Sequence, residues 1–262
     1  MQRYKNYPES ETFFSSMYNI DFSYPSHLHG CFEVSYCVKG EVTVTITGQS
    51  YTISEGQGIL IPPNVVHSYR TDNTSAYYTI LFSRDLSTDF TSLFSKKQPL
   101  YYVFPLSAQL SQYLIDFNSS NQSLFGKKAL LYLTADAFLL GNTFKETDKD
   151  KVNDDLTIQI ITYIQENLRE QITLQDLSDH LGYNYYYISK RIQKDFDMPF
   201  ATLLSQYRIA EAKILLNTGK YNISQAALLS GFGSIRTFNR VFLKITGQTP
   251  SQYLSLPWVQ KM

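Results

Sequence analysis

Short runs of alternating apolar and polar residues fill the first part of the chain. In the run Val42–Thr47 the valines and the isoleucine fall on one face and the threonines on the other, as a strand with one buried face requires. Similar runs recur from about Phe13 to Phe82, and glycines and a Pro62-Pro63 pair interrupt them. Many short strands separated by turn residues predict an all-β barrel or sandwich.

After Ser107 the spacing of the apolar residues becomes helical. Two stripes at this spacing consist of Leu110, Tyr113, Leu114 and Phe117, and of Leu130, Leu133, Ala137 and Leu140. We therefore predict two helices in this part of the chain. Either both stripes pack against the β-rich part, or one of them is a self-association face. The pattern leaves both interpretations open.

A polar, charge-dense segment then separates this part from the rest of the chain. Residues 142–155 contain too few apolar side chains to pack a core, which is typical of a linker. Every apolar run after this segment has helical spacing. The pattern thus predicts a two-domain α+β chain, with a β-rich unit and helical pair at 1–141, a linker at 142–155 and an all-α unit at 156–262.

The composition is consistent with two hydrophobic cores. The chain has 262 residues, 43% of them hydrophobic, enough for two modest domains. The amino terminus has no apolar signal region, and Thr134 and Asp136 interrupt the longest apolar stretch, 129–140. We therefore expect a soluble, cytoplasmic protein with no membrane partner. Cys31 and Cys37 are too few for a disulfide framework, so we expect reduced thiols.

Two segments of the carboxy-terminal unit follow one plan, in which a short helix, a turn at a glycine and a second helix succeed one another. In the first segment Thr173 and Asp176 are predicted to cap the first helix, Gly182 to make the turn and Asn184 to cap the second helix. This arrangement predicts a helix-turn-helix unit.

The second segment starts at Ile223 and repeats the plan. Ser224 is predicted to cap its first helix, Gly231 to make the turn and Ser234 to restart the chain. This is a second predicted helix-turn-helix unit. In such units the second helix enters the major groove of DNA.

The exposed side of each second helix is the candidate DNA-reading surface. Helical spacing turns Ile188 and Ile192 inward in the first unit, and Phe238 and Phe242 inward in the second. The predicted DNA-contacting residues are Tyr185, Tyr186, Ser189 and Lys190, and then Ser234, Ile235, Arg236, Asn239 and Arg240. Arginine can bind a guanine, asparagine an adenine, and tyrosine or isoleucine a thymine methyl. The alternative is that these are ordinary solvated side chains.

Charge is unevenly distributed along the chain. The whole chain has a net charge of zero, but from Leu181 onward ten basic residues stand against three acidic ones, a net charge of +7. A basic segment of this kind suits a phosphate backbone. A solvated basic face would have the same composition.

A signature of many fixed positions runs through the second unit. It consists of Ile223, Gly231-Phe232, Phe238, Arg240, Phe242, Gly247-Gln248-Thr249-Pro250 and Tyr253. Together with the connecting segment Arg208–Leu216, these residues resemble the double helix-turn-helix domain of the AraC/XylS family of bacterial regulators, from about Leu156 to Leu254. The chain departs from the family pattern at Ile192-Gln193 and at Leu243-Lys244, where phosphate contacts are expected to change.

The resemblance implies a transcriptional regulator, more often an activator than a repressor. Its implied partners are double-stranded promoter DNA, RNA polymerase, a small-molecule effector and a second copy of the chain.

Histidines and a glutamate recur at a characteristic spacing in the β-rich part. His27, His29 and Glu33 form one group, and His67 follows later. This spacing resembles the two cupin motifs, with Asn64 where the second motif usually has glycine, and it implies a cupin-like β-barrel. In metal-binding cupins the matching residues hold iron, manganese, nickel or zinc. Sensor barrels of the regulator family often keep such histidines around an organic effector, so a divalent metal is an open alternative and we expect that no cofactor is required.

We predict a small-molecule site at the mouth of this barrel. The residues expected to line it are His27, His29, Glu33, Tyr36, His67 and Tyr69. The chain has 21 tyrosines, and aromatic faces with hydroxyl groups suit sugars, although they suit ordinary cores as well.

The sequence therefore predicts a sequence-specific DNA-binding regulator without catalytic residues, responding to an effector, with a sugar as the candidate, in a cupin-like barrel. The alternative from another class is a metal-dependent cupin enzyme fused to a helical module. A third interpretation is a helical module that binds protein instead of DNA. A steep loss of DNA affinity with rising salt would exclude the third.

Overall fold

The computed structural model describes residues 13–72, 74–94, 97–118, 123–146 and 155–255. The chain divides into two compact units. The first consists of Met1–Phe22 and Leu28–Asp154, and the second of Ser23–His27 and Asp155–Met262. The division at residue 155 falls at the end of the predicted linker.

The first unit is built around two antiparallel β-sheets. The strands of the described residues are β1 Phe14–Ile20, β2 Tyr24–His27, β3 Phe32–Lys39, β4 Glu41–Ile46, β5 Gln49–Ser54, β6 Gln57–Ile61, β7 His67–Arg70, β8 Ala76–Phe82, β9 Lys97–Pro99, β10 Val103–Pro105 and β11 Phe144–Glu146. Of these, β2 lies in a stretch that belongs to the second unit. One sheet has the order β1-β8-β3-β6-β10, and the other places β7 and β5 on either side of β4. The predicted β-rich unit is confirmed, in the form of a two-sheet sandwich.

Strand β3 shows how the two faces of the first sheet are used. Its side chains alternate, so Val34 and Tyr36 point to one face and Glu33 and Ser35 to the other. Val34 and Tyr36 belong to a hydrophobic core shared with the helices of this unit. Ser35 lies on the side of the second sheet, because its Oγ is 2.9 Å from the hydroxyl of Tyr69 on β7. The interior between the sheets therefore carries polar side chains.

Within its described residues the first unit also has three α-helices, which are α1 Thr88–Phe94, α2 Ala108–Asn118 and α3 Leu124–Leu140. The last two are the predicted helical pair, and Leu110, Leu114, Leu130 and Ala137 are buried in the core as expected. Leu140 is 81% exposed instead. Six residues beyond the buried Thr134, it lies roughly 120° around the helix from the centre of the buried face.

The predicted linker 142–155 is partly wrong. Residues 144–146 form β11, which pairs with β9 in an antiparallel ladder. Phe144 supplies the missing apolar anchor, since its ring lies 5.9 Å from that of Phe94 and 6.0 Å from that of Phe138. Residues 147–154 of the predicted linker lie outside the described residues.

The second unit contains seven helices within its described residues. They are α4 Asp155–Asn167, α5 Leu174–Leu181, α6 Tyr185–Phe196, α7 Phe200–Asn217, α8 Ile223–Leu229, α9 Ile235–Thr246 and α10 Pro250–Leu254. Helices α5 and α6 form one helix-turn-helix unit, and α8 and α9 form the other. The connecting helix α7 has 18 residues, of which 13 are buried.

Most of the predicted helix caps are present. Thr173 and Asp176 form a capping box on α5, Asn184 caps α6 and Ser234 caps α9. The predicted cap at Ser224 is wrong.

Ser224 lies inside α8, and the N-cap of that helix is Asn222. The side chain of Asn222 accepts a hydrogen bond from the backbone N–H of Gln225, and the side chain of Gln225 returns a bond to the backbone of Asn222. The sequence signal was present, because Asn at N-cap with Gln three residues later is a capping box.

A junction formed by Leu168, Gln171, Arg208 and Gly231 ties the two helix-turn-helix units together. Arg208 on α7 donates through Nε to the carbonyl oxygen of Leu168 at 3.0 Å and through Nη2 to that of Glu170. Gln171 donates to the carbonyl oxygen of Gly231 at 3.0 Å. The segment that follows α4 is thereby bonded both to the connecting helix and to the turn of the second unit.

None of the helices in the described part of the chain is both long and apolar enough to cross a membrane.

Candidate nucleic-acid interface and histidine cluster

Helix α6 turns its apolar residues inward and its polar residues outward. Ile188 and Ile192 are 0% exposed. Of the predicted contact residues, Ser189 is half-buried. The others are exposed: Tyr185, Tyr186 and Lys190. Tyr186 extends furthest into solvent among them, with 75% of its surface exposed. The side of α6 available to a ligand is therefore the side that helical spacing predicts.

Helix α9 has the same organisation. Phe238 and Phe242 are 0% exposed and stack edge to face at 5.4 Å in the core of the second unit. The predicted contact residues on the opposite side are all exposed, namely Ser234, Ile235, Arg236, Asn239 and Arg240. The hydroxyl of Ser234 is occupied as the helix cap, where it accepts from the backbone of Thr237 at 3.2 Å.

Two further tyrosines belong to the exposed surface at the start of α6. Tyr183 and Tyr187 are 45% and 49% exposed, and their rings stack at 5.4 Å with an angle of 26° between planes. Sequence reasoning missed both. The signal was the run of aromatic residues from Tyr183 to Tyr187, which offers flat faces on more than one side of a helix.

The positive charge of this unit is smaller at the surface than the sequence count suggests. Arg208 and Lys213 are buried in α7, with 9% and 7% exposure. Arg191 is paired with Asp195 at 2.5 Å. The exposed basic residues on the two candidate reading helices are Lys190, Lys194, Arg236, Arg240 and Lys244. These five residues are the basic groups that α6 and α9 offer to phosphates.

The predicted ligand residues of the first motif and the second converge. His27, His29, Glu33 and His67 are all buried, and each offers a ligand atom within 4.8 Å of the others. His29 Nε2 lies 2.8 Å from Glu33 Oε2, and His67 Nε2 lies 3.3 Å from the same oxygen. One carboxylate oxygen therefore faces two imidazole nitrogens.

The other ring nitrogens identify the tautomers. Nδ1 of His29 lies 3.0 Å from the carbonyl oxygen of Cys31, and Nδ1 of His67 lies 2.8 Å from that of Val65. His27 makes the same contact with the carbonyl of Pro25 at 2.9 Å. A carbonyl oxygen only accepts, so each Nδ1 carries the hydrogen and donates. In a neutral ring, Nε2 is then an acceptor with a lone pair directed away from the main chain.

The carboxylate adds a further acceptor at the same point. Burial by itself would raise the pKa of Glu33, but the charge of His67 and the hydrogen bonds of His29 and His67 together hold this pKa well below its usual range. Glu33 is therefore an anion in a buried site. Two lone pairs and an anion can converge only if a positive charge lies among them, as a proton on a ring or as a metal ion.

The two tyrosines predicted at the ligand site occupy different faces of the first sheet. Tyr36 lies on the face opposite Glu33, and its hydroxyl is bonded to Thr134 on α3. Tyr69 lies between the sheets, where its ring is 6.0 Å from that of His67. Of the two tyrosines, only Tyr69 therefore lies beside the histidine cluster.

A chain of hydrogen bonds leads from Tyr69 across the sandwich interior. Ser35 Oγ lies 2.9 Å from the hydroxyl of Tyr69 and 3.0 Å from Thr79 Oγ1, and Asn19 donates to Thr79 Oγ1 at 3.0 Å. Burial and the charge of Glu33 raise the pKa of Tyr69 well above its ordinary value. Tyr69 is therefore a neutral hydroxyl, and the polar groups around it are satisfied internally.

Asn64 explains how the second motif accommodates a non-glycine residue. Its φ is 61°, in the left-handed region that glycine adopts freely and asparagine tolerates better than most residues. In this conformation its N–H donates to the carbonyl oxygen of His29 at 2.8 Å. This bond ties the second motif to the first.

Both cysteines of the first unit are buried and free. Burial and the nearby Glu33 raise the pKa of Cys31 to about 11. A thiol at this pKa is protonated near neutral pH and is a poor nucleophile and metal ligand. This agrees with the expectation of reduced thiols and leaves the histidines and Glu33 as the candidate ligands of the site.

Comparison with known protein families assigns a domain type to each half. A family model described as an AraC-like ligand-binding domain matches residues 13–133. A family model of helix-turn-helix domains matches residues 177–255. The two matched ranges contain the histidine cluster and the two candidate reading helices.

Similar proteins are regulators by name. An uncharacterised helix-turn-helix regulator of Staphylococcus aureus is 35% identical over 102 residues, which are 39% of this chain, and the chain spans only 14% of that protein's length. The regulator YisR of Bacillus subtilis is 24% identical over 247 residues, 85% of each chain. A crystal structure of apo ToxT from Vibrio cholerae has a TM-score of 0.60 at 17% identity, over 93% of this chain and 97% of ToxT, which shows a shared fold.

Proposed function

We propose that the chain is a transcriptional regulator of the AraC/XylS family, since its two halves match an AraC-like ligand-binding domain and a helix-turn-helix domain, and that it reads promoter DNA with α6 and α9. The observation that carries the proposal is that both helices have one buried apolar face and one exposed polar face. Each buries an apolar face and directs polar, aromatic and basic side chains to solvent. An exposed face of this composition at the second helix of each unit suits the major groove.

The proposed contacts differ between the two helices. On α9, Arg236 and Arg240 bind guanines and Asn239 binds an adenine, because these side chains offer the matching donors and acceptors. On α6, Tyr186 contacts thymine methyls while Lys190 approaches the phosphates. The second unit thus reads a more G-containing half-site than the first.

The proposal includes an effector and partners. A small molecule bound in the amino-terminal unit shifts the protein between two states with different DNA affinity. A sugar is the candidate effector, supported by the tyrosine-rich composition. We further propose that the protein acts as a homodimer, activates transcription through RNA polymerase, and works in the bacterial cytoplasm, where promoter DNA lies.

Arg240→Ala is expected to weaken binding to the chain's own upstream DNA by about 1 to 3 kcal/mol, roughly 5- to 150-fold, and to relax the preference for one base. The wild type should show saturable binding that falls steeply as salt rises, because phosphate contacts release counterions. Both quantities are measured by fluorescence anisotropy with the specific sequence and with a scrambled one, over a salt series.

The matched control for this experiment is Lys220→Ala. Lys220 is exposed and lies between α7 and α8, outside both candidate reading helices, so its loss removes the same charge without removing a base contact. Equal loss of base preference in both variants would contradict the role of Arg240. A wild type with neither sequence preference nor salt dependence would contradict the proposed function.

We also propose that the histidine cluster holds a divalent metal. Supporting this, three Nδ1 atoms donate to main-chain carbonyls, which is the usual way in which proteins orient a ligating imidazole. His27, His29, His67 and Glu33 would hold the ion, and this donor set suits manganese, iron, nickel or zinc. The bound ion would supply the positive charge that these acceptors require.

Replacing His67 by alanine is expected to lower the affinity for Mn²⁺ or Zn²⁺ at least about 100-fold, because a ligand is lost. Calorimetric titration of metal-stripped protein and the rise in Tm on adding each metal give the two readouts. His180→Ala is the control, since His180 lies at the surface of α5 beside Tyr163. Unchanged Tm with every metal would contradict the metal and leave an organic effector, whereas turnover by the metal-loaded protein would favour the cupin-enzyme alternative.

A further inference from the structure

Three polar side chains form a closed set of hydrogen bonds between α4 and α6. Arg191 on α6 donates through Nε to Asp195 Oδ2 at 2.5 Å and through Nη2 to Thr157 Oγ1 at 3.0 Å. The hydroxyl of Thr157, in the first turn of α4, donates to Asp195 Oδ2 at 2.7 Å. Each member of this polar triad is therefore bonded to the other two, and the triad joins the start of α4 to the second half of a candidate reading helix.

The stability of α6 as a single helix does not account for this arrangement. Asp195 is the second-last residue of α6, where the negative end of the helix dipole disfavours a carboxylate. A pair with the basic residue first, as in Arg191 and Asp195, also stabilises a helix less than the reverse order does. The bond between Asp195 and Thr157 gives the carboxylate a partner on a different helix, which is a tertiary role.

The polar triad also withdraws Arg191 from solvent. The side chain of Arg191 is 17% exposed and that of Asp195 is 14% exposed, whereas the neighbouring Lys190 is exposed. The charge of Arg191 is paired, and two of its donors are used within the second unit. Arg191 therefore differs from the basic residues of α6 that are free to approach a phosphate.

The rotation of α6 about its own axis decides where its exposed side chains point. Ile188 and Ile192 hold the buried face through apolar contacts, which are non-directional. Hydrogen bonds prefer near-linear geometry, so the polar triad adds a directional restraint. The tips of helix side chains lie about 5 to 6 Å from the axis, so a rotation of about 10° moves them by roughly 1 Å. Precise recognition requires positioning within about 0.5 Å.

We infer that Thr157, Arg191 and Asp195 are positioning residues, which hold α6 in the rotation at which Tyr186 and Lys190 reach their DNA contacts. None of the three positioning residues touches DNA. The inference rests on the proposed function and deepens it, because it places part of the base preference of the first helix-turn-helix unit in a contact with α4, outside that unit.

The test is fluorescence anisotropy of the full chain with its own upstream DNA and with a scrambled sequence. Thr157→Val removes the hydroxyl and both of its bonds but keeps the branched shape of the side chain. We expect it to weaken binding to the specific sequence by about fivefold to tenfold, because the orientation lost in the free protein must be restored on binding. Binding to the scrambled sequence should stay within about twofold of the wild type, because contacts to phosphates are retained.

Two further variants control for the substitution itself. Thr157→Ser keeps the hydroxyl and is expected to restore specific affinity to within about twofold of the wild type. Thr162→Val makes the same chemical change at another half-buried residue of α4, outside the polar triad. It should leave both affinities within about twofold of the wild type.

Arg191→Gln separates positioning from a direct phosphate contact. This variant is expected to weaken specific binding at least as much as Thr157→Val and to leave the slope of log affinity against log salt concentration unchanged. If Arg191 bound a phosphate in the complex, its loss would reduce that slope by about one, and this result would overturn the inference.

Single base substitutions in the DNA locate the effect on one half-site. Tyr186→Ala and Arg240→Ala identify the bases whose preference depends on α6 and on α9, respectively. Thr157→Val is expected to relax the preference only at the bases assigned to α6. Equal relaxation at both sets of bases would overturn the inference.

Specific affinity in Thr157→Val equal to that of the wild type would also overturn the inference. Equal losses on specific and scrambled DNA would do the same, because a loss of folding weakens both. In either case a wild type that prefers its specific sequence would leave the proposed function standing. A wild type without sequence preference would overturn the proposed function and this inference together.

Discussion

Gly231→Ala is expected to lower the free energy of unfolding of the carboxy-terminal unit by about 3 kcal/mol or more. Two costs add at this position. Its φ is +89°, a conformation that a residue with a Cβ adopts only under strain. The added Cβ would also lie 2.4 Å from the carbonyl oxygen of Leu168, and backbone cannot move aside as a flexible side chain can. The junction between the two helix-turn-helix units would have to open.

The measurement is urea unfolding followed by circular dichroism, with two other glycines as controls. Gly182 has a φ of +71° but open space around its Cβ position, so Gly182→Ala should cost only about 1 kcal/mol. The Cβ of Gly233→Ala would have no neighbour nearer than 3.8 Å, and Gly233 has no positive φ, so its effect should stay within about 0.5 kcal/mol. Equal losses at Gly231 and Gly182 would show that the contact with Leu168 is unimportant.

Arg208→Met is expected to be the second most damaging change, at about 2 to 4 kcal/mol, because two main-chain carbonyls lose a buried donor. The guanidinium donates to the carbonyls of Leu168 and Glu170 and lies over the ring of Phe232 at 6.0 Å. Burial lowers the pKa of Arg208. The same burial keeps water from replacing the hydrogen bonds of its guanidinium. Methionine keeps much of the volume of the side chain and removes all its donors.

Thermal and urea unfolding measure this effect, and Arg236→Met is the control. Arg236→Met is the same substitution on the exposed side of α9. The stability of this variant should stay within about 0.5 kcal/mol of the wild type, while its DNA affinity falls. Arg208→Met should lower stability more than it lowers DNA affinity. If the two variants lost stability equally, the junction would not be the source of the stabilisation.

Local patterns in the sequence were sufficient for much of the fold. Alternation in Val42–Thr47 predicts β4, and capping residues such as Thr173 and Asn184 predict the starts of α5 and α6, all of which the structure contains. These predictions succeed because a strand face and a helix cap depend on residues within a few positions of each other. The exposed sides of α6 and α9 follow from the same short-range periodicity.

Features that depend on distant parts of the chain were not predictable in this way. Gly231 was identified as a turn residue, but its contact with Leu168 joins positions 63 residues apart. The error at Tyr36 is different, because residues three apart on one strand point to opposite faces, so local alternation already argued against placing Tyr36 beside Glu33. The bond to Thr134 shows which face it occupies. The strand β11 was missed because its anchor, Phe144, meets its neighbours only in the folded core.

The histidine cluster shows both situations at once. The resemblance to the two cupin motifs implied that His27, His29, Glu33 and His67 converge, and their ligand atoms lie within 4.8 Å of one another. The orientation of the rings was not predictable, because it depends on backbone carbonyls at Cys31 and Val65. Sequence motifs indicate which residues meet, while the folded backbone decides which nitrogen each ring presents.

The burial of α7 has a consequence for the promoters that this protein would recognise. Of its 18 residues 13 are buried, and Arg208 is bonded to Leu168, directly after α4. The helix therefore holds α6 and α9 at a fixed distance and rotation. One inserted base pair would rotate one half-site by roughly 34° relative to the other. A rigid connection between α6 and α9 cannot follow that rotation. During evolution, such promoters could exchange bases inside either half-site gradually, but they could not change the distance between the half-sites, since even a whole added turn would move them about 34 Å further apart.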